Sequence, residues 1–195
     1  MSRRAAGIAV AAAAAGHVLA VLLVRNRGAS AADRARPLPG DELVPRPLAR
    51  ATRAVAVGAP AAEVWPWLAQ IGQDRAGFYS LRRLENLVGC RMPDTDRIHP
   101  EWQHRDVGEP LPIHPRRALA VRRFEPGEAI AVEHWGTLAV VPDGGDRCRV
   151  LMRNRVPRSP LGLAYLLFEV PHAVMELAML RGIRRRAEAG RAADA

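Results

Sequence analysis

Hydrophobic and polar positions divide the chain into regions of different pattern. The run from Ala5 to Val24 contains no charged side chain, and arginines stand on both sides of it. Residues 26–50 are rich in Ala, Arg and Pro and follow neither helical nor strand periodicity. Beyond them, strand-like alternation and helical spacing replace each other several times. The pattern predicts an N-terminal membrane anchor (1–25), an extended Pro/Arg-rich linker (26–50), one ligand-binding domain (51–189) and a tail (190–195).

The N-terminal run predicts a single membrane-spanning helix. Twenty helical residues at about 1.5 Å each span roughly 30 Å, the thickness of the hydrocarbon core of a bilayer. More arginines follow the run than precede it, and the positive-inside rule then places the C-terminal domain in the cytoplasm. One alternative stays open. Ala29-Ser30-Ala31 has the small-x-small form of a signal-peptide cleavage site, which would make the chain an exported protein after cleavage.

The folded domain follows the order strand, two short helices, antiparallel strands and long helix. Alternation over Thr52 to Val57 predicts the first strand. Apolar spacing predicts a helix over 61–71, which Pro66 should divide into two short turns, and a second short helix over 81–88. An apolar stripe predicts a final helix from about Pro171 to Ala189. A curved sheet wrapped around that helix satisfies this order, so the predicted class is α+β.

Aromatic rings are concentrated in one block of the domain. The chain is only 5% aromatic, yet residues 64–80 hold two of the four Trp, one of the three Phe and one of the two Tyr. Such a concentration is typical of the wall of a core or of a pocket. Trp67, Phe78 and Tyr79 are therefore candidates for ligand contact, with core or loop packing as the alternative for each.

Several separated motifs resemble one superfamily. Val64-Trp65-Pro66-Trp67-Leu68, the loop 97–103 and the Met175–Ile183 part of the final helix occur in the order found in START-like (SRPBCC) proteins. They are most similar to an actinobacterial, membrane-anchored subgroup often labelled polyketide cyclase/dehydratase or lipid-transport-like. The resemblance implies a helix-grip fold, in which a curved antiparallel sheet wraps a long C-terminal helix, and an internal apolar cavity. It implies no single activity, because fold alone does not choose among functions.

Two sets of side chains are candidates for the site. His99 and Glu101 are catalytic candidates, because a His and a carboxylate in one loop can do acid–base work when both turn inward. Glu133 is a third, since alternation places it on the face of Trp135; buried there, it would need a partner such as Arg153 or Arg155. A structural role in the loop or at the surface is the alternative. The ligand-binding candidates are Trp67, Phe78, Tyr79, Trp102, Trp135, Met175 and Met179.

Charge and cysteine content indicate which partners, metals and cofactors to expect. The net charge of +9 comes entirely from arginine, since the chain has no lysine, and it favours anionic partners such as lipid. No motif of interleaved basic and aromatic residues predicts nucleic-acid binding. Cys90 and Cys148 form no disulfide framework and no zinc-binding spacing, and no cofactor motif occurs. We therefore expect buried thiols, no metal and no cofactor; the sequence does not predict the oligomeric state.

The function predicted from these features is membrane-anchored binding of a small hydrophobic ligand in an internal cavity. A lipid, a polyketide or an isoprenoid would fit this description. The alternative is a cyclase or dehydratase that uses the same cavity, with His99, Glu101 or Glu133 as acid or base.

Overall fold

The computed structural model describes residues 3–194, which form one antiparallel sheet and several helices. The sheet is curved and has the strand order β1-β6-β5-β4-β3-β2. Its strands are β1 (Ala49–Val57), β2 (Pro110–His114), β3 (Arg117–Glu125), β4 (Ala129–Val132), β5 (Gly136–Pro142) and β6 (Cys148–Val156). The helices are α1 (Arg3–Arg25), α2 (Ala31–Ala35), α3 (Ala61–Ala69), α4 (Arg82–Leu87), α5 (Pro160–Leu167) and α6 (Glu169–Asp194).

The predicted α+β, helix-grip arrangement is confirmed. The first and last strands pair over nine residues, from Ala49 opposite Val156 to Val57 opposite Cys148. The long helix α6 packs against β1, β6 and α3. Because successive side chains of a strand point to opposite faces, Val150 and Met152 face the core beneath α6 whereas Leu151 faces away from it.

Residues 26–48 cover the outer face of the sheet and are not the extended tether that their composition predicts. Ser30 caps the short helix α2 in a reciprocal capping box with Asp33. The buried Asp33 carboxylate accepts hydrogen bonds from Arg149, and Arg153 donates to Asp41 over 2.8 Å. Arginines on the outer face of β6 need carboxylate partners once they are buried, and the linker supplies them.

Helix α3 is continuous, contrary to the expectation that Pro66 divides it. Pro66 lies in the second turn, where its missing N–H removes one intrahelical hydrogen bond, to the carbonyl of Ala62. The neighbouring Trp65 and Trp67 are both buried, Trp65 with its ring edge against Phe124 and Trp67 against Tyr79. Tertiary packing on two sides thus outweighs the local cost of the proline.

Helices α5 and α6 meet at a bend of 71° and form the last layer of the fold. Glu176, Met179 and Ile183 of α6 are buried, whereas Val174, which hydropathy places in the apolar stripe, is exposed. The buried face therefore includes a charged residue. Tight contact of α6 with the loop after α3 depends on Gly182, where a Cβ would lie 2.0 Å from the backbone oxygen of Tyr79.

Helix α1 is long and apolar enough over Gly7–Arg25 to cross a membrane. Its C-terminal end is fastened to the domain by hydrogen bonds. The carbonyl of Val24 accepts from Arg53 Nε over 3.2 Å, and Arg25 Nε donates to the carbonyl of Arg50 over 2.7 Å. His17 Nε2 lies 3.1 Å from the carbonyl oxygen of Leu166 in α5. The part of α1 from His17 to Arg25 therefore runs along the domain.

Candidate functional site

A large cavity lies between the inner face of the sheet and the helices α4, α5 and α6. Its volume is about 1150 Å³, against roughly 300–1,000 Å³ for typical ligand pockets. Side chains such as Leu84, Ile113, Leu119 and Val132 make the lining mostly apolar. The volume includes a groove that continues past the β4–β5 turn to linker residues such as Leu43. The space enclosed beneath the sheet is therefore smaller than the total.

Four of the predicted ligand-binding residues line this cavity. Phe78 and Trp135 meet edge to face, with ring centroids 5.4 Å apart, and both reach it. Met175 and Met179 line it from α6. The rings and thioethers are apolar enough to favour a hydrophobic guest, and the unbranched methionine side chains can adapt to its shape.

Trp67 and Tyr79 are not among the described residues that line the cavity. Trp67 is buried against Tyr79, with centroids 6.0 Å apart. The Tyr79 hydroxyl accepts a hydrogen bond from Gln70 Nε2 over 2.9 Å, and the Arg186 guanidinium lies 4.6 Å from the centre of its ring. Burial raises the pKa of Tyr79 above its usual value. Both rings hold α3 and the following loop against α6.

The loop candidates His99, Glu101 and Trp102 also lie outside the lining described for the cavity. His99 stacks on Trp102 with centroids 3.9 Å apart, and its Nδ1 is 3.2 Å from Glu101 Oε1. Its backbone N–H donates to Gln70 Oε1 over 3.0 Å. The Glu101 carboxylate points to solvent, and backbone and His99 hydrogen bonds hold its pKa below the usual value. These contacts fasten the loop to α3.

Glu133 reaches the edge of the cavity but has a different partner from the one expected. Glu133, in the β4–β5 turn, forms an ion pair with Arg122 of β3. The hydrogen bond from Arg122 lowers the pKa of Glu133. Arg153 and Arg155 instead face the linker, where both pair with Asp41.

A buried polar cluster, which the sequence reasoning did not single out, lies in the cavity wall. It comprises Arg53, Asn154, Tyr165, Glu169, His172 and Glu176. Arg53 forms ion pairs with Glu169 and Glu176 and donates to Asn154 Oδ1 over 2.9 Å. Asn154 Nδ2 donates to Glu176 over 2.9 Å and to the carbonyl of Trp135 over 2.6 Å. Four of the six members line the cavity, namely Asn154, Tyr165, His172 and Glu176.

Tyr165 and His172 are the cluster members best placed to meet a ligand. The Tyr165 hydroxyl hydrogen-bonds His172 Nδ1, and His172 Nε2 lies 3.6 Å from Glu176 Oε1. Burial and the neighbouring Glu176 raise the pKa of Tyr165, so the phenol stays protonated at neutral pH. The arrangement can hold a hydroxyl or carbonyl group of a guest, or pass a proton along Tyr165, His172 and Glu176.

A small side pocket of about 190 Å³ lies next to the cavity, and the polar side chains of Ser80 and Glu85 line both spaces. Glu85 accepts a hydrogen bond from the Ser80 hydroxyl. Burial raises the pKa of Glu85. Arg82 and Arg186 face the pocket and both pair with Asp94. Asp94 thus partly neutralises these two guanidinium groups, and Arg185 lines the same pocket.

The thiols and the metal-ligand chemistry are simple in the described part of the chain. Cys90 and Cys148 are both free; Cys90 lines the cavity, and Cys148, the first residue of β6, is buried in the core. Among residues 3–194, no group of three or more His, Cys, Asp or Glu side chains is arranged to hold a metal ion.

Comparison with known proteins finds similarity to solved structures but not to curated sequences or family models. No family model matches the chain, and no curated protein matches it in sequence. The solution NMR structure of a polyketide-cyclase-like protein from Corynebacterium glutamicum is similar over 75% of this chain and 95% of that one, at 14% identity and a TM-score of 0.41. A conserved protein of unknown function from Enterococcus faecalis is similar over 73% of this chain and 85% of that one, at 8% identity and a TM-score of 0.34.

Proposed function

We propose that this chain is a membrane-anchored START-like protein that binds one small hydrophobic molecule in the cavity beneath its sheet. A lipid, a polyketide or an isoprenoid fits the lining. The observation that carries the proposal is the combination of a large apolar cavity with one polar cluster in its wall. Burial of apolar surface drives binding at about 25 cal/mol per Å², so a guest that buries roughly 300 Å² gains about 7 kcal/mol before ordering costs.

The polar cluster would fix the orientation of the guest. A hydrophobic ligand with one hydroxyl or carbonyl group would place that group at Tyr165 and His172 and its apolar part against Phe78, Trp135 and Met179. A hydrogen bond of this kind contributes about 1 kcal/mol, so its loss weakens binding roughly fivefold. We therefore expect Tyr165→Phe to lower affinity by that factor. Tyr79→Phe, the same change outside the cavity, should leave affinity unchanged.

Helix α1 would anchor the domain in the membrane, with the domain on the cytoplasmic side. The contacts of residues 24–27 with β1 support retention of this helix. The carbonyl of Arg27 accepts from the backbone N–H of Ala54 over 3.0 Å, and Asn26 Oδ1 accepts from that of Thr52. Cleavage near Ala31 would also cut through the capping box of α2. Cleavage of a signal peptide at this point would remove residues that form hydrogen bonds with β1, so these contacts favour retention of the helix. Fractionation and protease protection of the full chain test anchoring and side.

Binding is tested with paired Val→Trp variants and an environment-sensitive naphthalene dye. Val132→Trp puts an indole into the cavity, whereas Val107→Trp makes the same change at an exposed loop position. The dye should bind the wild type and Val107→Trp with similar affinity and bind Val132→Trp at least tenfold more weakly. Leu119→Trp serves as a second blocking variant if Val132→Trp unfolds. Equal dye binding by the wild type and both blocking variants contradicts the proposal.

A second candidate function is an enzyme of cyclase or dehydratase type. The chain of contacts through Tyr165, His172 and Glu176 favours it, because these groups can donate and accept protons inside the cavity. The two functions differ in what co-purifies with the protein. A binding protein holds the same molecule in the wild type and in His172→Ala, whereas a dehydratase variant would accumulate a molecule heavier by one water.

A further inference from the structure

Helix α5 exposes an apolar surface that is unusual for a domain in water. The nine residues from Pro160 to Phe168 contain no charged side chain. Leu163 and Leu167 are exposed to 60% and 69%, and Leu161 and Phe168 are similarly open. Contiguous apolar patches of this kind mark interaction sites.

Helix α4 presents a matching apolar surface on another side of the cavity mouth. Leu87 is 82% exposed, and Leu84 and Val88 are more than half exposed. Leu84 of α4, Leu161 and Ala164 of α5, and the residues directly after the two helices, Val88 and Phe168, are exposed and also line the cavity, so they form its rim. A guest that enters here passes between apolar side chains.

The position of helix α1 indicates which environment covers these apolar surfaces. The contact between His17 and the carbonyl of Leu166 places α5 beside the middle of the apolar helix. His17 lies eight residues before Arg25, a rise of about 12 Å. Half of a hydrocarbon core is roughly 15 Å thick. When α1 spans the bilayer with Arg25 at its edge, α5 therefore lies at the depth of the acyl chains in that leaflet.

Charge agrees with this placement. Arg82 and Arg83 are exposed at the start of α4, and Arg158 precedes α5 by two residues. Together with Arg25 at the end of α1, they flank the apolar segments in the sequence, as expected for cations at the level of anionic headgroups, although Arg82 also pairs with Asp94.

We propose that α4 and α5 are lips of the cavity mouth and are inserted in the leaflet next to Arg25, so that the guest passes from the bilayer into the cavity without crossing water. The occupant of the lips is the acyl-chain layer. The guest is then an amphiphile dissolved in the membrane, with an apolar body and a small hydroxyl or carbonyl group. Insertion of the lips rests on the proposed membrane anchoring by α1, and the route of the guest rests in addition on the proposed binding function.

Insertion is tested with single cysteines carrying the fluorophore NBD, in a Cys90→Ser/Cys148→Ala background of the full chain. Leu87→Cys, Leu163→Cys and Leu167→Cys place the fluorophore on the lips. Gly145→Cys places it in the β5–β6 turn, at the opposite end of β6 from α5, where a Cβ meets nothing within 4 Å. The protein is reconstituted in vesicles of phosphatidylcholine and phosphatidylserine.

The three lip positions should show blue-shifted emission and quenching by lipids with nitroxide-labelled acyl chains, whereas position 145 should behave as in water. Water-like emission at all lip positions overturns the proposal, whether or not the cavity binds a guest. Equal quenching at position 145 also contradicts it, because it would indicate non-specific adsorption.

The route of the guest has a separate test. Leu163→Ser/Leu167→Ser changes lip residues that do not line the cavity. Transfer of a hydrophobic dye from vesicles to this variant should be about tenfold slower than to the wild type, with unchanged equilibrium affinity in detergent. Val107→Ser is the exposed control and should transfer normally. An unchanged transfer rate contradicts the route, and a loss of affinity shows that the lips belong to the binding site instead.

Discussion

Arg53 of β1 and Glu176 of α6 form an ion pair in which both side chains are withdrawn from solvent. The pair joins the first strand of the sheet to the final helix, and Glu169 holds the other side of the same guanidinium. Asn154 of β6 completes the link by bonding to both Arg53 and Glu176. The wall that carries the polar groups of the cavity is therefore positioned by charged side chains that are almost entirely buried.

Removal of the cation from this cluster should be costly. Arg53→Met leaves the carboxylates of Glu169 and Glu176 buried without a positive partner, which should lower the free energy of unfolding by about 3–5 kcal/mol. Arg184→Met is the control, because Arg184 and Glu188 form an exposed pair on α6 that contributes less than about 1 kcal/mol. Urea unfolding of the full chain in mild detergent measures both. Equal losses for the two variants would show that burial of the pair is unimportant.

Two glycines of α6 should respond to alanine in opposite directions. Gly182→Ala places a methyl group 2.0 Å from the carbonyl oxygen of Tyr79, so α6 must shift and stability should fall by more than about 2 kcal/mol. Gly190 has nothing within 4 Å, and alanine there should add about 0.5–1 kcal/mol through helix propensity. Thermal unfolding of both variants gives the signs. A neutral Gly182→Ala would mean that α6 does not pack this closely on the loop.

The linker should contribute to stability in a pH-dependent way. Burial alone would raise the pKa of Asp33, but hydrogen bonds from Arg149 and Ser30 hold it below the usual 3.8. Because the folded-state pKa is depressed, this stabilisation is present above pH 3.8 and is lost as the pH falls through the lower, folded-state pKa. Asp33→Asn should cost about 2 kcal/mol at neutral pH, and the difference from the wild type should shrink in acid. A difference independent of pH would contradict the ion pair with Arg149.

The two thiols should differ sharply in reactivity. Burial raises the pKa of Cys148 to about 11, and this side chain on β6 is fully buried in the core. Burial and the Glu85 carboxylate also raise the pKa of Cys90, but its side chain is partly open and lines the cavity. Iodoacetamide at mildly alkaline pH should modify Cys90 and leave Cys148 untouched until the protein unfolds. A bound hydrophobic guest should slow the modification of Cys90, which mass mapping of the labelled peptides can follow. Labelling of Cys148 in the folded protein would contradict its burial.

Alternation and helical spacing were sufficient to predict the sheet and the long final helix, because these elements follow the period of their own side chains. The linker was predicted, but its packing on the sheet was not, because a composition rich in Ala, Arg and Pro is typical of an extended tether. A local signal was present in Ser30 and Asp33, which have the spacing of a capping box. Alternating arginines of β6 gave a second signal, since Arg149 and Arg153 share one face of a strand and need partners.

The candidate site was predicted only in part, for a physical reason. Aromatic content marks rings that will be buried, but whether a ring faces a cavity or a neighbouring helix depends on tertiary packing, which separates Phe78 from Tyr79 although they are adjacent. The polar cluster was missed because Arg53 and Glu176 look like surface residues. Their positions were informative, since Arg53 shares the inner face with Val55, and Glu176 lies one helical turn from Met179.

The most direct test of a guest in the cavity is native mass spectrometry of the full chain purified in mild detergent, with extraction of whatever co-purifies. Lipid that merely surrounds α1 would accompany every variant equally. We predict a defined apolar molecule, at one per chain, on the wild type and on Val107→Trp, and its loss from Val132→Trp. The same molecule in equal amount on all three proteins, or none on the wild type, would contradict binding in the cavity.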